Sequence, residues 1–284
     1  MYKIGWFSSG RDKAARDLLA AVYNAIQDNY IKNCEIDFVF INKDYGESPE
    51  SDALIDQAQS YGIKVVSFSS KRFKPDQRLK GLKEIKEKGK DAILKTWREE
   101  YDKQIIRLLN GLKTDLNVLA GYMLIFSKIM VKKYLLINLH PSPPGGPQGA
   151  WQDVIWELIR MRADKAGCMI HLVTEELDRG PPISCCAFSI KEGRFKELWR
   201  VIDDQLRQHS LDSIIKKEYE THPLFQAIRE EEAAREPHLL IETLKMFSEN
   251  RIAVNDDSIL LDGKFVKGGI SLTDLIEERL RSRQ

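Results

Sequence analysis

Asn138 and His140 stand two residues apart, directly before Pro141, at the end of the apolar run Leu135-Leu136-Ile137. Such a run reads as a buried strand. Alternate residues on a strand share a face, so the amide and the imidazole point the same way while Leu139 points the other. Pro141 biases His140 towards extended backbone and should end the strand there. A donor amide and a titratable ring then sit side by side at the carboxyl end of a strand, where open α/β sheets bind ligands.

Two further clusters could join them. His171 lies in an apolar stretch that leads into Thr174 and then Asp178, with Gly180 and Pro181 closing the loop. A carboxylate held beside a histidine could set that ring's protonation and tautomer. Read alone, Asp178 is equally a turn residue. The first strand-to-helix turn, Ser8-Ser9-Gly10-Arg11-Asp12-Lys13, would present backbone N–H groups at a helix start, a place suited to phosphate. It carries neither the P-loop ending nor a GxGxxG pattern. The loop after His140, Pro143-Pro144-Gly145-Gly146-Pro147, is too rich in Pro and Gly for regular structure.

The elements that position these residues follow from periodicity. Strands are expected at residues 3–8, 37–41, 64–68, 116–120, 135–140, 168–174 and 183–190. Helices are expected at 12–27, 49–61, 79–109 with a break at Gly89, 128–133, 151–162 and 195–217. This alternation predicts an α/β fold, a mostly parallel Rossmann-like sheet with helices on both faces. The character changes near Tyr219. Residues 222–249 read as a highly charged helix, 251–254 and 258–261 as a hairpin around Asn255-Asp256-Asp257, and 272–281 as a last helix capped by Ser271. Residues 1–218 are therefore expected to form the catalytic domain, and 219–284 a small α+β extension, either packed on the sheet domain or serving homo-oligomerisation.

Bulk properties narrow the function. The 284 residues carry 44 Lys+Arg against 43 Asp+Glu, a formal net charge of +1, and 43% are hydrophobic. That describes an ordinary globular chain without the basic footprint of a nucleic-acid binder. The Lys-rich stretch 71–95 reads as a solvated helix face. Cys34, Cys168, Cys185 and Cys186 lack metal-ligand spacing and read as reduced thiols. Met1-Tyr2-Lys3-Ile4 enters a strand directly. Neither a signal peptide nor a membrane span is expected, which points to the cytoplasm, with no metal and no membrane partner.

Taken together, Leu119-Ala120-Gly121-Tyr122-Met123, Ile137-Asn138-Leu139-His140-Pro141-Ser142 and residues 167–180 resemble the folate-dependent formyltransferase family in order and spacing. The Ser9-Gly10 turn and residues 97–109 add to the likeness, which covers roughly residues 1–215. The resemblance implies the formyltransferase fold and transfer of a formyl group from 10-formyltetrahydrofolate to an amine. Asn138, His140 and Asp178 match the catalytic positions, with His171, Thr174 and Ser142 in support. The segment Tyr122, Met123, Leu124, Ile125 and Phe126 matches the folate slot. Ser9, Gly10, Arg11, Asp12 and Lys13 match the turn that holds the acceptor's phosphate. The implied acceptor is a small phosphorylated amine, with glycinamide ribonucleotide the leading candidate.

The departures concern the acceptor side. Leu124 stands where related chains carry Arg, and Arg11-Asp12-Lys13-Ala14 replaces an Asn-Gly-Ser-Asn-type turn. Ser142-Pro143-Pro144-Gly145 replaces Ser-Leu-Leu-Pro, and Gln208-His209 replaces Glu-His. Residues 71–92 read as an insertion, and the tail after Tyr219 is expected to have no counterpart in a minimal enzyme. Other acceptors therefore stay open: a nucleotide-linked amino sugar, methionyl-tRNA, or water in a formyltetrahydrofolate hydrolase. Against tRNA stand Glu230-Glu231-Glu232. Against the hydrolase stands the absence of a segment before the first strand. A non-catalytic folate-binding sensor is a reading of another class.

Overall fold

A computed structural model describes residues 1–255 and 258–282, which form two compact units. The first comprises residues 1–138 and 172–179, the second 139–171 and 180–284.

The first unit alternates strand and helix as the periodicity predicts. Its elements are β1 (Tyr2–Ser8), α1 (Lys13–Gln27), β2 (Cys34–Ile41), α2 (Pro49–Ser60), β3 (Lys64–Ser67), α3 (Pro75–Lys88), α4 (Ala92–Leu108), β4 (Leu116–Leu119), α5 (Lys128–Lys133) and the start of β5 (Leu136–His140). The strands run parallel in the order β5-β4-β1-β2-β3. Both faces are covered. Phe7, Phe38 and Phe40 pack with Trp97, Tyr101 and Ile105 of α4. The alternate residues Ile4, Trp6, Val39 and Ile41 are fully buried on the opposite side, as in a parallel sheet flanked by helices. Gly5 is demanded by this packing: a Cβ there would stand 2.1 Å from Asn117 Oδ1 and 2.6 Å from the Phe38 ring. The expected break at Gly89 is a left-handed C-cap, φ +64°, closing α3, the conformation glycine adopts at least cost.

The second unit contains the end of β5, α6 (Trp151–Arg160), β6 (Lys165–Leu172), β7 (Pro182–Ser189), α7 (Phe195–Leu206), α8 (Leu211–Glu218), α9 (Pro223–Ser248), β8 (Ile252–Asn255), β9 (Ser258–Leu261), β10 (Lys264–Phe265), β11 (Ile270–Ser271) and α10 (Thr273–Arg281). β7 lies between antiparallel β6 and parallel β11. β8, β9 and β10 form a separate antiparallel sheet. The Asp256-Asp257 part of the expected hairpin turn falls outside the described residues.

Three expectations are corrected here. The single helix at 195–217 is two, because Ser210 accepts a hydrogen bond from Ser213 N–H and starts a new helix, a standard N-cap. Ser271 does not cap the last helix: it belongs to β11, and Leu272 holds the cap position. Strand β6 is shifted, running from Lys165 to Leu172, so Thr174 lies in the loop beyond it.

The charged helix α9 is also less exposed than its composition suggests. Glu232 is fully buried, and Arg235, Glu236 and Glu242 nearly so. Arg229 pairs with Glu236, Arg235 with Glu231 and Glu277, and Arg279 with Glu242. Leu224, Phe225 and Ile228 of α9 join Val154, Ile155, Trp156 and Trp199 in one core cluster.

Candidate functional site

The β5 strand ends as the proline predicts, with Asn138 and His140 as its alternate residues. Leu119 of β4 is the register partner of Asn138. The Asn138 amide Nδ2 donates to Asp178 Oδ1 at 3.5 Å. Asp178 has φ +52°, a left-handed backbone. Asp tolerates that region better than most residues. The loop thereby turns its carboxylate onto the strand-end amide, bringing together two expected site residues that lie 40 positions apart.

His140 is 2% exposed. Its Nε2 lies 3.0 Å from the carbonyl oxygen of Pro147. A carbonyl only accepts, so that nitrogen carries the proton. The ring stands edge-on to His171, with centroids 6.0 Å apart and planes at 83°. The Pro-Gly loop is thus folded back over the histidine. Ser142, fully buried, donates its backbone N–H to His140 O at 2.9 Å. Gly146 fits closely: a Cβ there would stand 2.2 Å from Ser142 Oγ and 3.0 Å from Pro143 O. Pro147 was not singled out from sequence, because a backbone carbonyl leaves no compositional trace. Thr174 hydrogen-bonds locally, its hydroxyl donating to Glu176 O.

The five residues matched to a folate slot divide. Tyr122 and Phe126 stack at 4.7 Å and pack around Phe7 in the core. Met123 is 52% exposed, and Leu124 and Ile125 are half-buried. Met123, Leu124 and Ile125 thus keep accessible side-chain surface, while Tyr122 and Phe126 are packed in the core. Behind the segment lies Asp102, 2% exposed, accepting Ser127 N–H at 2.6 Å. Burial raises its pKa to about 7, against the opposing pull of its hydrogen bonds to Ser127 and of Arg98. Nothing in the charged sequence of α4 marks Asp102 as internal.

The β1–α1 turn is largely occupied by its own hydrogen bonds. Ser9 N–H donates to Gly121 O, and Ser9 Oγ accepts Met123 N–H at 2.9 Å. Gly10 N–H donates to Ser8 Oγ. Asp12 caps α1 by accepting Ala15 N–H. Lys13 pairs with Asp17 one turn along. Of the five residues, only Arg11 keeps a cationic head away from any carboxylate among the described residues. Among them, too, no group of three or more His, Cys, Asp or Glu could hold a metal ion, and no helix is long and apolar enough to cross a membrane.

A model of the family described as formyl transferase matches residues 14–199, more than half of the chain. The chain belongs to the formyl transferase family. Among its relatives, the phosphoribosylglycinamide formyltransferase of Escherichia coli (strain K12) is 35% identical over 88 residues, 30% of this chain and 41% of that protein. The enzyme of that name from Haemophilus influenzae is 29% identical over 168 residues, 58% of this chain and 64% of that protein. The chain thus spans less than two thirds of these relatives' length. A solved phosphoribosylglycinamide formyltransferase from Coxiella burnetii superposes with a TM-score of 0.63 at 20% identity, covering 95% of this chain and 98% of that one. A solved formyltetrahydrofolate deformylase from Pseudomonas syringae gives 0.55 at 18% identity, over 92% and 65%. These likenesses at low identity concern the fold, and the family model itself ends at residue 199, ahead of the charged tail.

Proposed function

We propose that the chain transfers a formyl group from 10-formyltetrahydrofolate to the amine of a small phosphorylated acceptor, glycinamide ribonucleotide being the acceptor best supported, in cytoplasmic purine synthesis. The observation that carries this reading is the Asn138–Asp178 pair at the end of β5, in a chain whose family is formyl transferase.

The chemistry follows from the residue types. The amine attacks the formyl carbon and forms a C–N bond, giving a tetrahedral centre with a developing oxyanion. The Asn138 amide and the protonated His140 donate to that oxygen. The bond from the carbon to the folate nitrogen then breaks. The amine proton passes to that nitrogen through a water ordered by Asp178. His171, Thr174 and Ser142 support the arrangement without touching the reacting atoms. The exposed Met123 and half-buried Leu124 and Ile125 offer an apolar flank for a pterin, with backbone contacts at Tyr122 and Phe126. The acceptor's phosphate lies beside the turn Ser9, Gly10, Arg11, Asp12 and Lys13, with Arg11 its cation. In this reading residues 1–218 carry the catalytic groups and 219–284 complete the second unit. The reaction needs neither a metal nor a nucleic-acid or membrane partner, and the extension could also serve self-association.

The test follows absorbance as the formyl group leaves 10-formyltetrahydrofolate, with glycinamide ribonucleotide, with other amines and with water alone. Turnover dependent on glycinamide ribonucleotide and reduced by about 10²–10³ in Asn138→Ala is expected, the usual loss for one oxyanion donor. Equal release with water alone would reassign the chain as a hydrolase. Turnover unchanged in His140→Ala would end the mechanism.

A further inference from the structure

Strands β1, β2 and β3 end level with one another: Ser8 pairs in register with Ile41, and Ile41 with Ser67. Each loop beyond them carries a cation. They are Arg11 after β1, Lys43 after β2 and Lys71 after β3. Lys43 leans across the first turn, its Nζ 3.4 Å from Gly10 O. The loop holding Lys71 is laced to the loop holding Lys43 by three backbone donors: Phe68 N–H to Ile41 O, Ser70 N–H to Asn42 O, and Ser69 N–H to Asp44 Oδ1.

Among the described residues none of these three cations has a carboxylate at ion-pair distance, in a chain where most arginines do. The nearby acids are otherwise engaged: Arg72 takes both Asp44 and Glu47, and Asp12 faces the backbone of α1. Lys43 is half-buried. Burial and then the charge of Lys71 hold its pKa below the ordinary lysine value, with Arg11 adding to them, against the opposing pull of Glu47 and Asp12. Like charges gathered without a carboxylate in ion-pair contact cost free energy in the empty protein, and an anion placed among them recovers it.

The alternative seat, the N-terminus of α1, is poorly equipped. Ser9 and Gly10 N–H are spent internally, and a carboxylate already stands at the cap. We infer that Arg11, Lys43 and Lys71 form a side-chain anion site across the ends of β1, β2 and β3, which takes the phosphate of the acceptor in place of the helix start. This deepens the reading of the chain as a formyl transferase for a phosphorylated amine, and rests on it only for the identity of the ligand.

The test is calorimetric titration of the full chain with inorganic phosphate at low salt. Saturable binding is expected, weakened about tenfold in each of Arg11→Ala, Lys43→Met and Lys71→Ala, the usual worth of one charge-assisted contact. Lys80→Ala, an exposed cation on α3, should bind as the parent does. A Lys13→Ala loss greater than that of Lys43→Met would return the anion to the helix start and overturn the inference. So would parent-like binding in the three variants, or no saturable binding at all. Formyl release measured on the same variants separates the two claims. A chain that binds phosphate at these cations yet never releases formyl would refute the reaction and keep the site.

Discussion

Ser9 Oγ accepts the backbone N–H of Met123 at 2.9 Å, while Ser9 N–H donates to Gly121 O at 3.1 Å. One serine thereby binds the first strand-to-helix turn to the segment proposed to hold the folate. Its hydroxyl oxygen is the acceptor in that tie, which leaves the O–H still able to donate. Ser9→Ala should cost about 1 kcal/mol of stability, the usual net worth of such a bond. It should also weaken folate binding severalfold while leaving phosphate affinity unchanged. Fluorescence titration with a folate and calorimetry with phosphate separate the two, and an unchanged folate affinity would show that the tie does not shape the slot.

The Pro147 carbonyl should control His140. Gly146→Ala places a methyl 2.2 Å from Ser142 Oγ and 3.0 Å from Pro143 O, so the loop is expected to shift and the 3.0 Å contact to His140 Nε2 to be lost. The expected outcome is a fall in kcat with an unchanged KM for the folate. A Gly146→Ala enzyme with parental kcat would show that the contact is incidental.

Asp102 predicts a dependence of stability on pH. Its carboxyl is raised from 3.8 to about 7 in the folded chain, so the folded state holds the proton more tightly than the unfolded state. Stability must therefore fall as pH rises through that interval and level off above it. Asp102→Asn keeps the acceptor for Ser127 N–H but cannot ionise. Urea unfolding should show its advantage over the parent widening from pH 5 to pH 7, by about 1–3 kcal/mol, then holding constant to pH 9. A difference that does not vary with pH would refute the assignment.

Removing residues 219–284 should destroy the second unit. Leu224, Phe225 and Ile228 fill its core beside Trp156 and Trp199, each worth about 1.5–3 kcal/mol of burial. Ser184 and Thr243 hydroxyls meet at 2.6 Å, and Ile270 and Ser271 pair with β7. A chain ending at Glu218 is expected to lose near-ultraviolet circular dichroism and cooperative unfolding. If it kept both, the tail would be a detachable appendage after all.

Much of the sheet was legible because hydrophobic runs and Gly or Pro punctuation report local structure directly. Pro141 ended β5 where expected, and Gly89 ended α3. Asn138 and Asp178 could be paired only through the family's pattern, since nothing local to residue 178 distinguishes a site carboxylate from a turn. Two-residue strands such as β11 are too short for any periodicity to reveal. Glu232 and Asp102 look like solvated charges in their helices, and only tertiary packing puts them inside. Lys43 was passed over for the same reason in reverse: a single lysine in a loop is unremarked until neighbouring strand ends bring Arg11 and Lys71 beside it.

The path of the chain through its two units bears on how the protein is made. The first unit is nearly complete once residue 138 has been synthesised, yet Asp178 belongs to it and arrives 40 residues later, after most of β6 has been laid down in the second unit. A nascent chain can therefore display the whole parallel sheet, with its strand-end amide in place, while still lacking the carboxylate that amide engages. Chemical competence should lag behind the appearance of native secondary structure during synthesis.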